Sequence, residues 1–516
     1  MSLKKSLIQS FTTYKNNPAL DVNNEIYSYE DLFKEITLIS QYINYLSKSN
    51  NSNICILGNR SKEVYTAILS VVFSENTYVP LNNDFPKNRL SYIINFSKSD
   101  LVIVCKESIE NFRQFANDIS PLSILLLGSD EDIYSIQDEY KQHKFFTLKS
   151  LNSQNLDKEG LFNINKDINR TLYLMFTSGS TGKPKGVPVS EKNVLSYLET
   201  ILKTYPISSQ DKISQSFDIS FDLSVHDIFI TFLAGATLCV IPKNQLFAPF
   251  KFINDKQISI WFSVPSIIFM MDKMKLLKHN SMPSIKLSFF CGEALVVDLA
   301  YKWQDAANNS TIENLYGPTE ATIAIFNHSF KKENNYTSDT VLIGKIFPNN
   351  KYFINNEGIL FLSGSQVVEE YFNNIEQTQK SFFKDNDGTI WYNTGDIVKE
   401  LDNGELLYLG RDDFQLKIGG FRIELEEIEK LIKTNFNFNF VLALPLNKKN
   451  NTASSIIVII QGEKEKKKEI EILQECKNNL PNYMIPKEIL WIVDIPLTYN
   501  GKVDRKKLLM DYNNEK

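Results

Sequence analysis

The sequence predicts an α/β protein, with a large, multi-layered α/β N-terminal domain and a small α+β C-terminal domain. Three observations carry this expectation. Short β-rich runs alternate with helical patterns over the first four hundred residues, which argues for stacked layers with largely parallel sheets. A glycine-rich loop, "TSGSTGKPKG" (177–186), follows directly on one of the apolar runs. From about residue 410 the texture changes to a compact, separate unit, so domains are expected at 1–410 and 414–516, joined at 411–413.

In chain order, "MSLKKSLIQSFTTYK" starts an amphipathic helix and lacks the apolar core of a signal segment. "SNICILG" (52–58) reads as a strand, "RSKEVYTAILSVVFS" (60–74) as a helix and "DLVIVCK" (100–106) as a strand. "RTLYLMF" (170–176) is the strand that leads into the loop. Beyond it, "SEKNVLSYLETILKTY" reads as a helix with Ser190 as its N-cap. Past residue 410 come "QLKIGG", "FRIELEEIEKLIKTN", "NFVLALPL", "SSIIVIIQG" and "EILWIVDIP"; "EKEKKKEIEILQECKNNL" (463–480) reads as a solvated helix face.

With 516 residues, 43% hydrophobic and 23% charged, the chain has the make-up of an ordinary globular protein long enough for several cores. A net charge of −5 gives no general attraction to nucleic acid or to an anionic membrane. The five cysteines (Cys55, Cys105, Cys239, Cys291, Cys476) are scattered, odd in number and free of any C-x-x-C pair. Most sit in apolar runs, where a reduced core thiol is expected. The four histidines show no metal-ligand spacing. No apolar run reaches membrane-spanning length, "IIVII" (456–460) reading as a buried strand. A cytoplasmic protein with no nucleic-acid partner and no membrane insertion is expected.

The loop invites comparison with a Walker phosphate loop, and the spacing rejects it. That pattern needs a glycine five positions before the Gly of Gly-Lys, and Ser or Thr after the lysine. Here the first position is Thr177, and Lys183 is followed by Pro184. The donor chemistry nevertheless suits an anion: Gly179, Gly182 and Gly186 let the backbone fold closely, while Thr177, Ser178, Ser180, Thr181, Lys183 and Lys185 supply hydroxyls and charge.

Four further glycine-punctuated segments follow: "NLYGPTEATIA" (314–324), "YNTGD" (392–396), "YLGRDDFQLKIGGFRIELEEIE" (408–429) and "LPNYMIPKEILWIVDIPLTYNGKVDRKKLL" (480–509). In order and content, the five together closely resemble the adenylate-forming superfamily of amino-acid adenylation domains, acyl-CoA synthetases and luciferases. The resemblance runs from "YVPLNNDFP" (78–86) to the last helix. It implies activation of a carboxylate by in-line attack on the α-phosphate of ATP with Mg²⁺, releasing pyrophosphate. Such chemistry needs backbone N–H groups, a cation and a lysine around developing negative charge.

Residues 177–183, 185 and 186 of the loop would then cradle the β- and γ-phosphates. Tyr316 offers a flat face for adenine, Thr319 a hydroxyl for the α-phosphate and Glu320 a carboxylate for Mg²⁺; Asn314 and Gly317 belong to the same nucleotide site. Taken alone, Asp396 serves equally as a turn cap; the resemblance makes it the acceptor of both ribose hydroxyls, with Arg411 supporting and Tyr408 nearby. Lys502, on an Asn-Gly turn, is alone an exposed lysine; the resemblance makes it the catalytic group of the first half-reaction. It further implies a mobile C-terminal domain, with Asp413 as hinge and Gly419, Gly420 and Phe421 lining a channel for a thiol.

The segment "SFDISFDLSVHDIF" (216–229) narrows the substrate. A buried carboxylate without a cation is costly, and Asp222 matches the residue that anchors the α-ammonium in amino-acid-activating members; a helix N-cap is its structural alternative. The implied side-chain pocket comprises Asp222, Leu223, His226, Phe262, Phe289, Cys291, Leu315, Ile323 and Ala324, closed by Lys502: mainly apolar and narrow. "FFCGEAL", "FDLSV", "YGPTEAT" and the stand-alone length resemble the D-alanine–carrier protein ligases, with a phosphopantetheinylated carrier protein as partner. His226, the bulkier Phe262 and "VVEEY" (367–371) depart from that pattern. D-alanine or another small to medium amino acid is the expected substrate. The competing readings are an acyl- or aryl-acid CoA ligase and a non-catalytic nucleotide-binding module.

Overall fold

Runs such as "NICILG" and "LVIVC" lack polar alternation, so both of their faces must be covered by other elements. In the computed structural model they become the interior strands Asn53–Gly58 and Leu101–Cys105, buried almost throughout. The structure describes residues 2–47, 51–128, 133–151, 167–179, 182–334, 336–413, 415–446, 453–496 and 503–514. The chain forms two compact units. One comprises Met1–Asn83, Leu90–Phe176 and Gly186–Asp412; the other comprises Asp84–Arg89, Thr177–Lys185 and Asp413–Lys516.

A seven-stranded sheet runs in the order Lys144–Thr147, Ser123–Leu127, Leu101–Cys105, Asn53–Gly58, Thr77–Asn82, Thr171–Thr177, Lys185–Ser190. Its first five strands pair in parallel. A nine-stranded sheet has six central parallel strands, Thr311–Tyr316, Leu287–Phe290, Ile260–Ser263, Lys212–Gln215, Thr237–Val240 and Pro18–Val22. The helix Leu223–Ala234, apolar around most of its circumference, is buried along nearly its whole length. Helix Glu191–Thr204 starts at Ser190, whose hydroxyl oxygen accepts from Asn193 N–H while the Asn193 side chain returns to the Ser190 N–H, a reciprocal cap.

The expectation of largely parallel sheets holds for these two and misses a third. Asn350–Ile354, Ile359–Gly364, Ile390–Glu400, Phe382–Lys384 and Leu406–Arg411 form an antiparallel sheet. Its physical signal is period-2 burial along Ile390–Glu400 and hairpin turns such as 355–358, where the Asn355 carboxamide oxygen accepts from Glu357 and Ile359 N–H and Gly358 takes φ 83°.

In the second unit, Val441–Leu446, Ser455–Gln461 and Glu488–Ile492 form a three-stranded sheet, packed with helices Leu425–Phe436 and Lys466–Asn479. The charged run at 463–480 is a solvated face: of helix Lys466–Asn479 only Ile472 and Cys476 are buried. All five cysteines are buried, and none is in a disulfide. Among the described residues, no helix is long and apolar enough to cross a membrane.

One buried ion pair ties the N-terminal helix to this framework. Arg170 lies 2.7 Å from Glu191, both almost fully buried, and the second Glu191 oxygen accepts from Leu3 N–H at 2.7 Å. Glu191→Ala should therefore lower stability by about 3–5 kcal/mol, because Arg170 loses its counter-charge. The check is the midpoint of urea unfolding, with Glu191→Gln, which keeps an acceptor for Leu3, losing less.

Candidate active site

Parallel strands joined by right-handed crossovers bring their carboxyl ends to one edge, where loops can carry polar groups. The nine-stranded sheet does this with Lys212–Gln215, leading to Asp218–Asp222; with Leu287–Phe290, leading to Cys291; and with Thr311–Tyr316, leading to Gly317 and the turn Thr319–Ala321.

Tyr316 and Asp396 meet here. The Tyr316 hydroxyl donates to Asp396 Oδ2, and Arg411 Nη1 lies 2.7 Å from Asp396 Oδ1. Asp396 is directly opposite Arg411 in the antiparallel ladder, so strand register alone sets this pair. Asp396 is thus a mid-strand residue rather than a turn cap. Burial and the neighbouring carboxylate push the Tyr316 phenol well above its ordinary range, keeping it a donor. Tyr408 stands 6.4 Å from the Tyr316 ring, tilted by 40°. The Asn314 carboxamide donates to Leu342 O at 2.8 Å, while its own oxygen is buried with no partner.

Glu320 is fully buried, and Tyr371 donates to it at 2.6 Å. The sequence reading passed over Tyr371, although it lies in the "VVEEY" departure. Beyond Glu320 the chain takes two left-handed steps, Thr322 (φ 56°) and Ile323 (φ 70°). For a β-branched residue such as Ile323 this is a strained conformation. Gln366 holds the turn, its Nε2 donating to Ala324 O at 2.7 Å. The turn aims the Ile323 N–H at Asp222 Oδ2, 3.3 Å away.

Asp222 precedes helix Leu223–Ala234 in the N-cap position, yet its side chain makes no capping bond. Asp218, by contrast, accepts from Ser220 N–H at 2.9 Å and so closes a local turn. One helical turn beyond Asp222, His226 Nδ1 pairs with the Tyr197 hydroxyl at 2.7 Å. The His226 ring packs edge-on to Phe262 at 4.6 Å and Phe289 at 5.0 Å. Leu223, Cys291, Leu315, Ile323 and Ala324 are buried within the same unit.

The glycine loop belongs to the second unit. Gly179 N–H donates to Glu427 at 3.2 Å, and the same carboxylate pairs with Arg89 at 2.8 Å, nearly fully buried. Ser178 donates to Arg422 O at 2.8 Å, and the buried Thr177 hydroxyl finds no partner among the described residues. A Cβ on Gly179 would sit 2.3 Å from Lys183 O, so the loop's fold requires glycine there. Ser180, Thr181 and Lys502 lie outside the described residues. Asp413 accepts from Gln415 N–H at 3.1 Å. Gly419 and Gly420, both at positive φ, form the two-residue turn between Leu416–Ile418 and Phe421–Ile423, and Phe421 stacks on Tyr483 at 4.0 Å.

With the geometry in place, the chain's relatives can be read. Residues 8–372 match the family model described as AMP-binding enzyme. The chain is 30% identical over 509 residues to the D-alanine–D-alanyl carrier protein ligase of Staphylococcus haemolyticus strain JCSC1435, covering 97% of each. A ligase of the same name from Staphylococcus aureus strain MRSA252 is 29% identical over 488 residues, covering 93% of each. Among solved structures, the Vibrio cholerae adenylation domain AlmE in complex with glycyl-adenosine-5'-phosphate matches with TM-score 0.89 and 32% identity. That match covers 99% of this chain and 98% of that one.

His226 also gives the site a signature in acid. Burial pushes its imidazole down to about 3. Between pH ~6.5 and 3 the unfolded chain therefore binds a proton that the folded chain refuses, and this contribution to stability falls as pH falls. Neighbouring Asp227 works in the opposite direction, because burial raises its carboxyl well above the usual range. His226→Gln should gain stability relative to the parent as pH drops below about 6.5, by about 1.4 kcal/mol per pH unit. Urea unfolding at a series of pH values reads this directly; parallel profiles for the two proteins contradict a neutral, buried imidazole.

Proposed function

The chain belongs to the AMP-binding enzyme family, and from that premise we propose that it activates a small amino acid as aminoacyl-AMP and passes it to the phosphopantetheine thiol of a carrier protein. The observation that carries the amino-acid part is Asp222. It is a buried carboxylate at the start of its helix that makes no capping bond and accepts from the N–H of Ile323, a residue held in the left-handed region, at 3.3 Å. A carboxylate buried at that place beside the loops of the site suits the α-ammonium of an amino-acid substrate. The relatives named for D-alanine and the solved relative holding glycyl-adenylate support a small amino acid and a carrier partner.

In this reading Asp396, oriented by Arg411 and Tyr316, accepts from the ribose hydroxyls, and the Tyr316 ring stacks on adenine. The loop at 177–186 gives its N–H groups and lysines to the phosphates, and Thr319 donates to the α-phosphate. Glu320, oriented by Tyr371, fits Mg²⁺, which is commonly held by one or two carboxylates plus substrate phosphates. Bound there, the ion would neutralise charge on the departing pyrophosphate. Lys502 bridges the substrate carboxylate and α-phosphate as negative charge develops between them. The small domain then turns about Asp413, and the Gly419–Phe421 segment lines the approach of the thiol.

Asp222→Asn should raise KM for the amino acid more than a hundredfold, since breaking a buried charge pair costs about 3–5 kcal/mol. KM for ATP should stay nearly constant. Exchange of pyrophosphate into ATP measures both, with propionate as the amine-free control; propionate serving as well as an amino acid overturns this reading in favour of an acyl ligase.

Lys502→Ala should slow adenylate formation by about 10²–10³, the usual worth of one transition-state donor. Thioester formation from pre-formed aminoacyl-adenylate should be largely preserved. Equal loss in both half-reactions, compared by single-turnover assays, contradicts the separate use of Lys502 in the first.

A further inference from the structure

The residues assigned to the substrate side chain differ in one physical respect. Asp222 retains 7% of its surface accessible, Leu223 3% and Leu315 2%, whereas His226, Phe262 and Phe289 retain 0%. A side chain with no accessible surface borders no space, internal or external, into which a water molecule fits. No space of the size of a water molecule therefore adjoins any of the three rings.

This part of the pocket is aromatic. Asp222 and His226 are four residues apart at the start of one helix, so the imidazole lies one turn directly beyond the carboxylate on the same face. Phe262 and Phe289 flank that imidazole, Phe217 backs Phe262 at 4.9 Å, and Tyr205 backs Phe289 at 4.9 Å. The Tyr197 hydroxyl fixes the imidazole from behind. Each ring is held by its neighbours, so a side chain pushing inward would drive several out of their preferred rotamers at once. Ile323, which meets Asp222 through its N–H, is itself only 1% accessible and is fixed by its left-handed backbone. The remaining His226 nitrogen, Nε2, has no hydrogen-bond partner. It would read a polar substrate side chain if any space adjoined it, and none does.

We propose that this pocket is plugged by the His226–Phe262–Phe289 cluster and selects glycine, with the methyl of alanine as the largest side chain it tolerates. The inference rests on the amino-acid reading above and specifies its substrate.

The test is pyrophosphate exchange by the full chain with glycine, D-alanine, L-alanine, D- and L-serine, L-valine and propionate. Glycine should give the highest kcat/KM, either alanine at least tenfold less, and serine and valine no detectable exchange. Phe262→Val and His226→Ala should each shift the alanine-to-glycine ratio of kcat/KM towards alanine by at least tenfold, with KM for ATP unchanged. The parent protein's own panel decides the matter even if a variant fails to fold. D-alanine, serine or valine equalling or exceeding glycine overturns the plug while leaving amino-acid activation intact. Propionate alone supporting exchange overturns amino-acid activation itself.

Discussion

A carboxylate taken out of water must be met by donors or by a cation, and the loops of this protein are shaped by that requirement. Asp396, Glu320 and Asp222 are all buried in the larger unit, and each is met differently. Asp396 has a guanidinium and a phenol, Glu320 a phenol, and Asp222 a backbone N–H. A fully paired carboxylate is a fixed acceptor, suited to orienting hydroxyls. The same group thus acquires different tasks from the donors around it.

Meeting Asp222 through the backbone has a structural cost. Thr322 and Ile323 are both driven into the left-handed region, where β-branched residues are unfavourable. Gln366 supports the turn by donating to Ala324 O and accepting from Asn350 at 3.0 Å. Asn350 begins the antiparallel sheet that also carries Asp396 and, through its ladder, Arg411. The strained turn, the Asp222 carboxylate it meets and the Asp396 cluster are therefore tied to one set of strands. The α/β alternation gave no hint of that sheet, yet it links the turn to the Asp396 pair.

The parts legible in the sequence were those written locally. Gly179 in the tight loop, the Ser190 cap and the uninterrupted apolar strands each depend on residues a few positions apart. The unread parts depend on partners far away along the chain. Tyr371 reaches Glu320 across 51 positions, Tyr197 reaches His226 across 29, and Glu427 reaches Gly179 across 248. Tertiary hydrogen bonds of this kind leave no periodicity behind. Asp222 shows the boundary between the two: its place at a helix start was visible, but its failure to cap that helix appears only in three dimensions.

The five buried thiols carry a practical consequence. Burial raises Cys55 to about 11 and Cys239 and Cys476 to about 12, and lifts Cys105 well above the ordinary thiol range. At neutral pH these four hold almost no thiolate, the form that reacts with maleimides, iodoacetamides and peroxides. These four are thus close to silent towards sulfhydryl reagents, and Cys291 is itself buried. A single cysteine engineered on either unit becomes a selective anchor for a fluorophore or spin label, and paired labels can then follow the two units during turnover.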